Sequence, residues 1–293
     1  MNTSIQSQPA PSRVTFLEGQ GGLPKLQVST AWSTAEIYLH GAHVTQFQKH
    51  HEPPLLFLSG EARFAAGEPI RGGVPVIFPW FGPRAGAGAH GVVRKQSWRL
   101  AEIATAADGA VQVRLEWPGE TGATFRLQYV VTVGETLTLE LLTTNLSATA
   151  AFTFEECLHT YFTVGDISAV AVTGLQGVSY LDNLANLASR VEEAAAIRFG
   201  SEVDRVYFNA PGTVEIHDEK LGRLIRVEKE QSASTVVWNP WIAKAQQMAD
   251  FGDAEYRQMV CVESGNVKSN QVTLPPGRSS TLKVKLSSEM KRP

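Results

Sequence analysis

Two short segments carry most of the side chains able to move protons. In FTFEECLHTYF, Phe152–Phe162, period-two alternation places Glu155, Cys157, His159 and Tyr161 on one face of a strand. Phe154, Glu156, Leu158 and Phe162 take the other face. His159 is then either the satisfied partner of Glu155 or an accessible acid–base group, and the segment alone leaves both readings open. In MVCVESG, Met259, Cys261 and Glu263 share a face. A carboxylate among such neighbours is either a general base with a raised pKa or a strand end meeting water.

Other patterns are weaker. Arg71, Arg84 and Arg94 fall in one Gly- and Pro-rich stretch, and guanidinium forks match phosphate oxygens in pairs. Gly86-Ala-Gly88-Ala-His-Gly91 matches the dinucleotide fingerprint GxGxxG but lacks its context. Pro83-Arg84 precedes it and β-branched Val92-Val93 follows, where a buried strand and a helix are required. His40 and His43 would point to opposite faces of a strand, and His50-His51 has no further ligand at metal-binding spacing, so no metal site is expected. Cys157 and Cys261 read as small buried packing residues, and two cysteines make no disulfide framework.

The elements that must position these groups read as strands. Val111/Val113/Leu115, Val214/Ile216, Ile225/Val227 and Leu282/Val284/Leu286 alternate with polar residues. Phe125–Asn145 reads as two strands around a turn at Gly134-Glu135. Repeated alternation with Gly- and Pro-rich turns argues for antiparallel sheets packed face to face. Two helical candidates stand out: Asn183–Ile197, with Leu184, Leu187, Val191 and Ala195 near helical spacing, and a weaker one at Ile242–Phe251. Pro69–Arg94 and Trp238–Asp253 have an irregular texture that suits functional loops. Residues 1–13 read as a flexible lead-in and 14–293 as one all-β domain.

Composition narrows the function. The 293 residues carry 26 basic and 29 acidic side chains, a formal charge of −3, so no global attraction to nucleic acid or acidic lipid is expected and any anion site must be local. No run of 18 apolar residues suggests a membrane span, and the amino terminus lacks the pattern of a signal peptide, so a reducing cytoplasmic setting is expected. The sequons at Asn2 and Asn145 are then chance matches.

Taken together, IRGGVPVIFPWFG, AHGVVR, FEECLHTYF, VDRVYFNAP and WNPWIAKAQQMADFGDAEYRQMVCVESGNV resemble the hexose-6-phosphate mutarotases of the aldose 1-epimerase superfamily. The resemblance runs from about Val28 to Leu286. It implies a galactose-mutarotase-like β-supersandwich, all-β with a few short helices. It also implies an enzyme with no required cofactor, whose partner is a small-molecule sugar phosphate and which interconverts its α and β anomers; nothing in the sequence demands more than a monomer. By motif, His159 matches the family's general acid and Glu263 its general base. Asp204 matches the sugar-binding aspartate, and Arg71 and Arg94 the arginines that bind substrate and its phosphate. His90, in the HG pair, is a further substrate-binding candidate. Ala89 stands where some members use Gln, and Cys157 where many have Ala. The alternatives are an aldose 1-epimerase acting on unphosphorylated sugars, a non-catalytic carbohydrate-binding protein, and a glycosidase using Glu263 with Asp204.

Overall fold

The computed structural model describes residues 12–119 and 122–291. The expected lead-in lies outside the described residues except for Ser12 and Arg13, and Arg13 already opens the first strand, Arg13–Glu18. Strands dominate. A nine-stranded and an eight-stranded antiparallel sheet form the body, beside a four-stranded sheet and two small two-stranded ones. The all-β expectation holds.

Alternation explains the packing. The hairpin Phe125–Val133 and Leu137–Asn145 forms where expected, with Val131 opposite Leu139 and Val133 opposite Leu137. Their apolar faces join Val111, Val113, Leu115, Val214, Ile216, Leu282, Val284 and Leu286 in the nine-stranded sheet. Leu158, Val260 and Val262 of the eight-stranded sheet complete the same continuous core. Strands such as Val111–Glu116 and Leu137–Asn145 therefore bury one row of side chains and turn the other outward, whereas Met259–Asn266 is buried on both faces.

The helical reading of Asn183–Ile197 is wrong. The segment forms a single 3-10 turn, Asn183–Ala185, and two short strands, Ala188–Val191 and Ala196–Arg198. Leu184, Leu187 and Val191 remain 51%, 55% and 51% exposed, so the apolar stripe has no surface to pack on. Sheet pairing claims the backbone instead, with Leu181 opposite Ser189 and Val172 opposite Ile197. Ile242–Phe251 is helical only at its start, in the single turn Trp241–Ala245.

Two features hold the elements around the site in place. Arg223 is fully buried and donates to the carbonyls of Pro53, Pro54 and Thr163 at 3.1, 3.1 and 2.5 Å. Gly91 has φ +65°, and a Cβ there would stand 1.8 Å from the Phe78 carbonyl oxygen. Only glycine allows that approach, which ties down the loop carrying His90. The GxGxxG match falls in the two-residue hairpin Pro83–Arg84/Gly88–Ala89, followed only by the three-residue 3-10 turn Val93–Lys95. Asn145 is buried, its amide donating to the carbonyls of Ala150, Leu274 and Pro275, which fits a chance sequon. No helix among the described residues is long and apolar enough to cross a membrane.

Candidate active site

Phe152–Phe162 is not one strand. Phe152–Phe154 pairs with Val272–Leu274 in a separate small sheet. Glu156–Leu158 and Tyr161–Thr163 both pair with the long strand Met259–Asn266 and leave His159 and Thr160 in a gap between them. The gap is held by the backbone: His159 N–H donates to the Pro75 carbonyl, and Val262 N–H to that of Thr160. Glu155 turns away and accepts from the amides of Phe81 and Lys268. It is not the partner of His159.

That partner is Glu263. His159 Nε2 lies 3.2 Å from Glu263 Oε1, and the Cys157 thiol donates to Oε2 at 3.5 Å. The approach of Cys157 depends on Gly265 opposite it, where a Cβ would stand 2.4 Å from the Glu156 carbonyl oxygen. Tyr161 stacks on His159 with ring centroids 4.8 Å apart, and Trp238 meets both rings edge-on at 6.2 and 6.0 Å. These groups open into a cavity of about 220 Å³ that Arg71, His90, Asn183 and Asp204 also line. The volume is below the ~300–1,000 Å³ of drug-sized sites, so the ligand it suits is small. A larger cavity, about 620 Å³, lies elsewhere and presents Glu36 and Glu255 with no basic residue in its lining.

Each sequence-derived residue has a definite place. Asp204 sits opposite Trp238 in the paired strands, and its Oδ1 accepts from Asn183 Nδ2 at 2.7 Å. Burial raises the Asp204 pKa against that hydrogen bond. His90 packs its ring 5.7 Å from that of His159, and its Nδ1 accepts from Gly82 N–H at 3.3 Å. Burial, then Arg94, Arg71 and Lys268, lower its pKa to about 3, so it is neutral with its proton on Nε2. Arg71 lines the cavity but is already engaged: its Nε and Nη2 donate to Asp250, and its Nη1 to the Tyr161 hydroxyl at 3.0 Å. Burial opposes its charge, yet Tyr161 and Asp250 outweigh this and hold it firmly cationic. Arg94 is not in the cavity wall. Its Nη2 donates to the Ala89 carbonyl at 2.9 Å, its Nε has no partner, and burial lowers its pKa to about 10. Arg84 is exposed and lies over Trp80.

The electrostatics of the central pair follow from burial. Burial, then His90, Arg94 and Arg71, push His159 well below 6.5. Burial, then Asp204, push Glu263 well above 4.5, against smaller opposing effects of Cys157 and Arg94. Each shift disfavours a charge, so burial favours neutral imidazole and neutral carboxyl over an ion pair.

Sequence reasoning overlooked several neighbours. Tyr161 was findable, two positions along the same face as His159. Trp238 and Asp250 lie in the stretch marked only for its texture. The two cysteines read as packing residues are indeed buried, but both lie against the carboxylate; Cys261 Sγ, a ring nitrogen of His159 and a Glu263 oxygen are all within 4.8 Å of one another. Nothing local marks Asn183, or Lys268, whose Nζ would lie 3.5 Å from a Cβ on Gly82 at the cavity edge.

The family model for aldose 1-epimerase matches residues 24–287. The chain belongs to the aldose 1-epimerase family. A protein of Cenchrus ciliaris provisionally named glucose-6-phosphate 1-epimerase is 37% identical over 267 residues, which are 86% of this chain and 80% of that one. One of the same name from Escherichia coli K12 is 35% identical over 248 residues, 81% of each. A solved structure of a provisionally named mutarotase from Salmonella typhimurium superposes with TM-score 0.85 at 29% identity, covering 95% of this chain and 97% of its own. The protein is therefore an isomerase of the epimerase class with a galactose-mutarotase-like fold.

Proposed function

We propose that the chain interconverts the α and β anomers of hexose 6-phosphates, chiefly glucose 6-phosphate. The observation that carries this reading is the buried His159–Glu263 pair at 3.2 Å, at the end of a small cavity that Arg71 also lines; in this reading the pair holds one proton. When the sugar enters, that proton passes to His159 and leaves Glu263 as the base. Glu263 takes the proton from O1, the C1–O5 bond breaks with its electrons on O5, and His159 protonates O5. The open aldehyde rotates about C1–C2. O5 then attacks the other face, returns its proton to His159, and O1 recovers one from Glu263. The pair ends as it began, and no group outside it changes protonation. Asp204, held by Asn183, accepts from a ring hydroxyl, and neutral His90 donates from Nε2.

Arg71 anchors the phosphate directly, while Arg94 and Lys268 add positive potential nearby. A sugar phosphate brings about −2 charge at pH 7, which suits three cations gathered in a near-neutral protein. Arg71→Ala is expected to raise KM for glucose 6-phosphate about 10- to 100-fold, with Arg94→Ala smaller and free glucose little affected by either. Saturation-transfer NMR of both sugars measures this. Equal rates on the two sugars in the parent protein would favour an ordinary aldose 1-epimerase.

The pair also sets the pH profile. Activity needs one proton shared between His159 and Glu263. Acid adds a second proton only below the lowered His159 value, and alkali removes the last only above the raised Glu263 value. The acid limb of kcat should therefore lie below 6.5, where His159 gains its proton, and the alkaline limb above 4.5, where Glu263 loses its own. An acid limb at or above 6.5, or an alkaline limb at or below 4.5, would contradict the shared-proton state. The free buried cysteines accord with a reducing cytoplasm.

A further inference from the structure

The geometry points to a second ligand for this cavity: a thiophilic divalent cation of the zinc type, held by His159 Nε2, Cys261 Sγ and a Glu263 oxygen. Anomer exchange by proton transfer gives Cys261 no task, yet its sulfur completes a nitrogen, sulfur and oxygen set within 4.8 Å. Ligand atoms on tetrahedral zinc stand about 3.3–3.8 Å apart, as bonds of about 2.0–2.3 Å require. His159 Nε2 and Glu263 Oε1, at 3.2 Å, are nearly there, and the sulfur needs to close by about 1 Å. Cys261 and Glu263 are two positions apart on one strand face, and His159 comes from the gap opposite them, so the three donors converge from two paired segments. His159 and Glu263 line the cavity, from which a water can complete a tetrahedral set.

Charge balance favours the exchange. Binding removes the thiol proton of Cys261 and the proton shared by His159 and Glu263, while two positive charges enter. Two protons leave for each divalent ion, so the net charge of the buried site is unchanged and the cost of burying an isolated ion is avoided. The ion occupies both groups that turn over the sugar, so it inhibits, a consequence that rests on the proposed epimerase activity. Affinity rises with pH because protons are released.

Cobalt(II) titration of the full chain tests the site without relying on catalysis. One equivalent should produce a thiolate-to-cobalt charge-transfer band and the strong visible bands of four-coordination, both displaced by zinc. Cys261→Ala should abolish the charge-transfer band, and Cys157→Ala should keep it. In anomer-exchange assays, zinc should inhibit competitively with sugar phosphate, and Cys261→Ala should raise the half-inhibiting concentration about 100-fold. A parent spectrum without thiolate ligation overturns the proposal, as does a band that survives Cys261→Ala or an affinity that does not change with pH. If the chain exchanges no anomers on either sugar, the epimerase reading fails while the cobalt spectrum still decides the metal site.

Discussion

Glu263→Gln is expected to lower kcat for glucose 6-phosphate anomer exchange by about 10³-fold, within the ~10²–10⁴ that a positioned general base contributes. The amide keeps the size of the side chain but cannot accept the O1 proton. Arg71, Asp204 and His90 are untouched, so KM should stay within about threefold of the parent. Burial raises the Glu263 pKa, so the folded state holds its proton more tightly than the unfolded chain does. The parent therefore loses stability as pH rises from 4.5 towards the folded value, and glutamine, which never ionises, is spared that loss. A thermal scan at pH 8 should thus find the variant at least as stable as the parent, which separates lost chemistry from lost fold. Exchange NMR, corrected for spontaneous mutarotation, reads the rate. More than a tenth of parental turnover would remove Glu263 from the base role.

His159→Ala is expected to cost about 10²–10⁴-fold in kcat, because no other group is placed to protonate O5. His90 is the nearest alternative acid, but its pKa of about 3 keeps it neutral at working pH. The truncation leaves a space between Tyr161 and Trp238, which pack against the imidazole from two sides. Added imidazole should enter that space and restore part of the rate, an outcome that a purely structural histidine would not give. The double variant with Glu263→Gln should be scarcely slower than either single one, since the two groups act as a unit on one proton. Retention of most activity in His159→Ala, or additive losses in the double variant, would place the acid elsewhere.

The local signals were legible where one strand face decides them. Alternation at Val111–Glu116, Phe125–Asn145 and Val214–Asp218 marks strands because each buries one row of side chains. Asn183–Ile197 misled because apolar spacing shows only what could be buried; here no surface covers Leu184 or Leu187, and edge pairing wins. The motifs named the candidates His159, Glu263, Asp204, Arg71, Arg94 and His90 from the chain alone.

What the chain determined by itself was therefore an all-β sandwich, its membership in a family of sugar epimerases, and the residue types able to move a proton and bind an anion. The tertiary structure decided which of them meet. His159 and Glu263 are 263 − 159 = 104 positions apart, and only the register of Glu156–Leu158 and Tyr161–Thr163 on Met259–Asn266 sets them 3.2 Å apart. The same pairing gave His159 a carboxylate other than Glu155 and set two cysteines against the base, while the packing of the loops committed Arg71 to Asp250 and left Arg94 out of the cavity wall. The physical reason is range: alternation and motif spacing act between neighbours along the chain, whereas a shared proton, an ion pair or a metal ligand set depends on ångström distances that exist only once distant strands have paired.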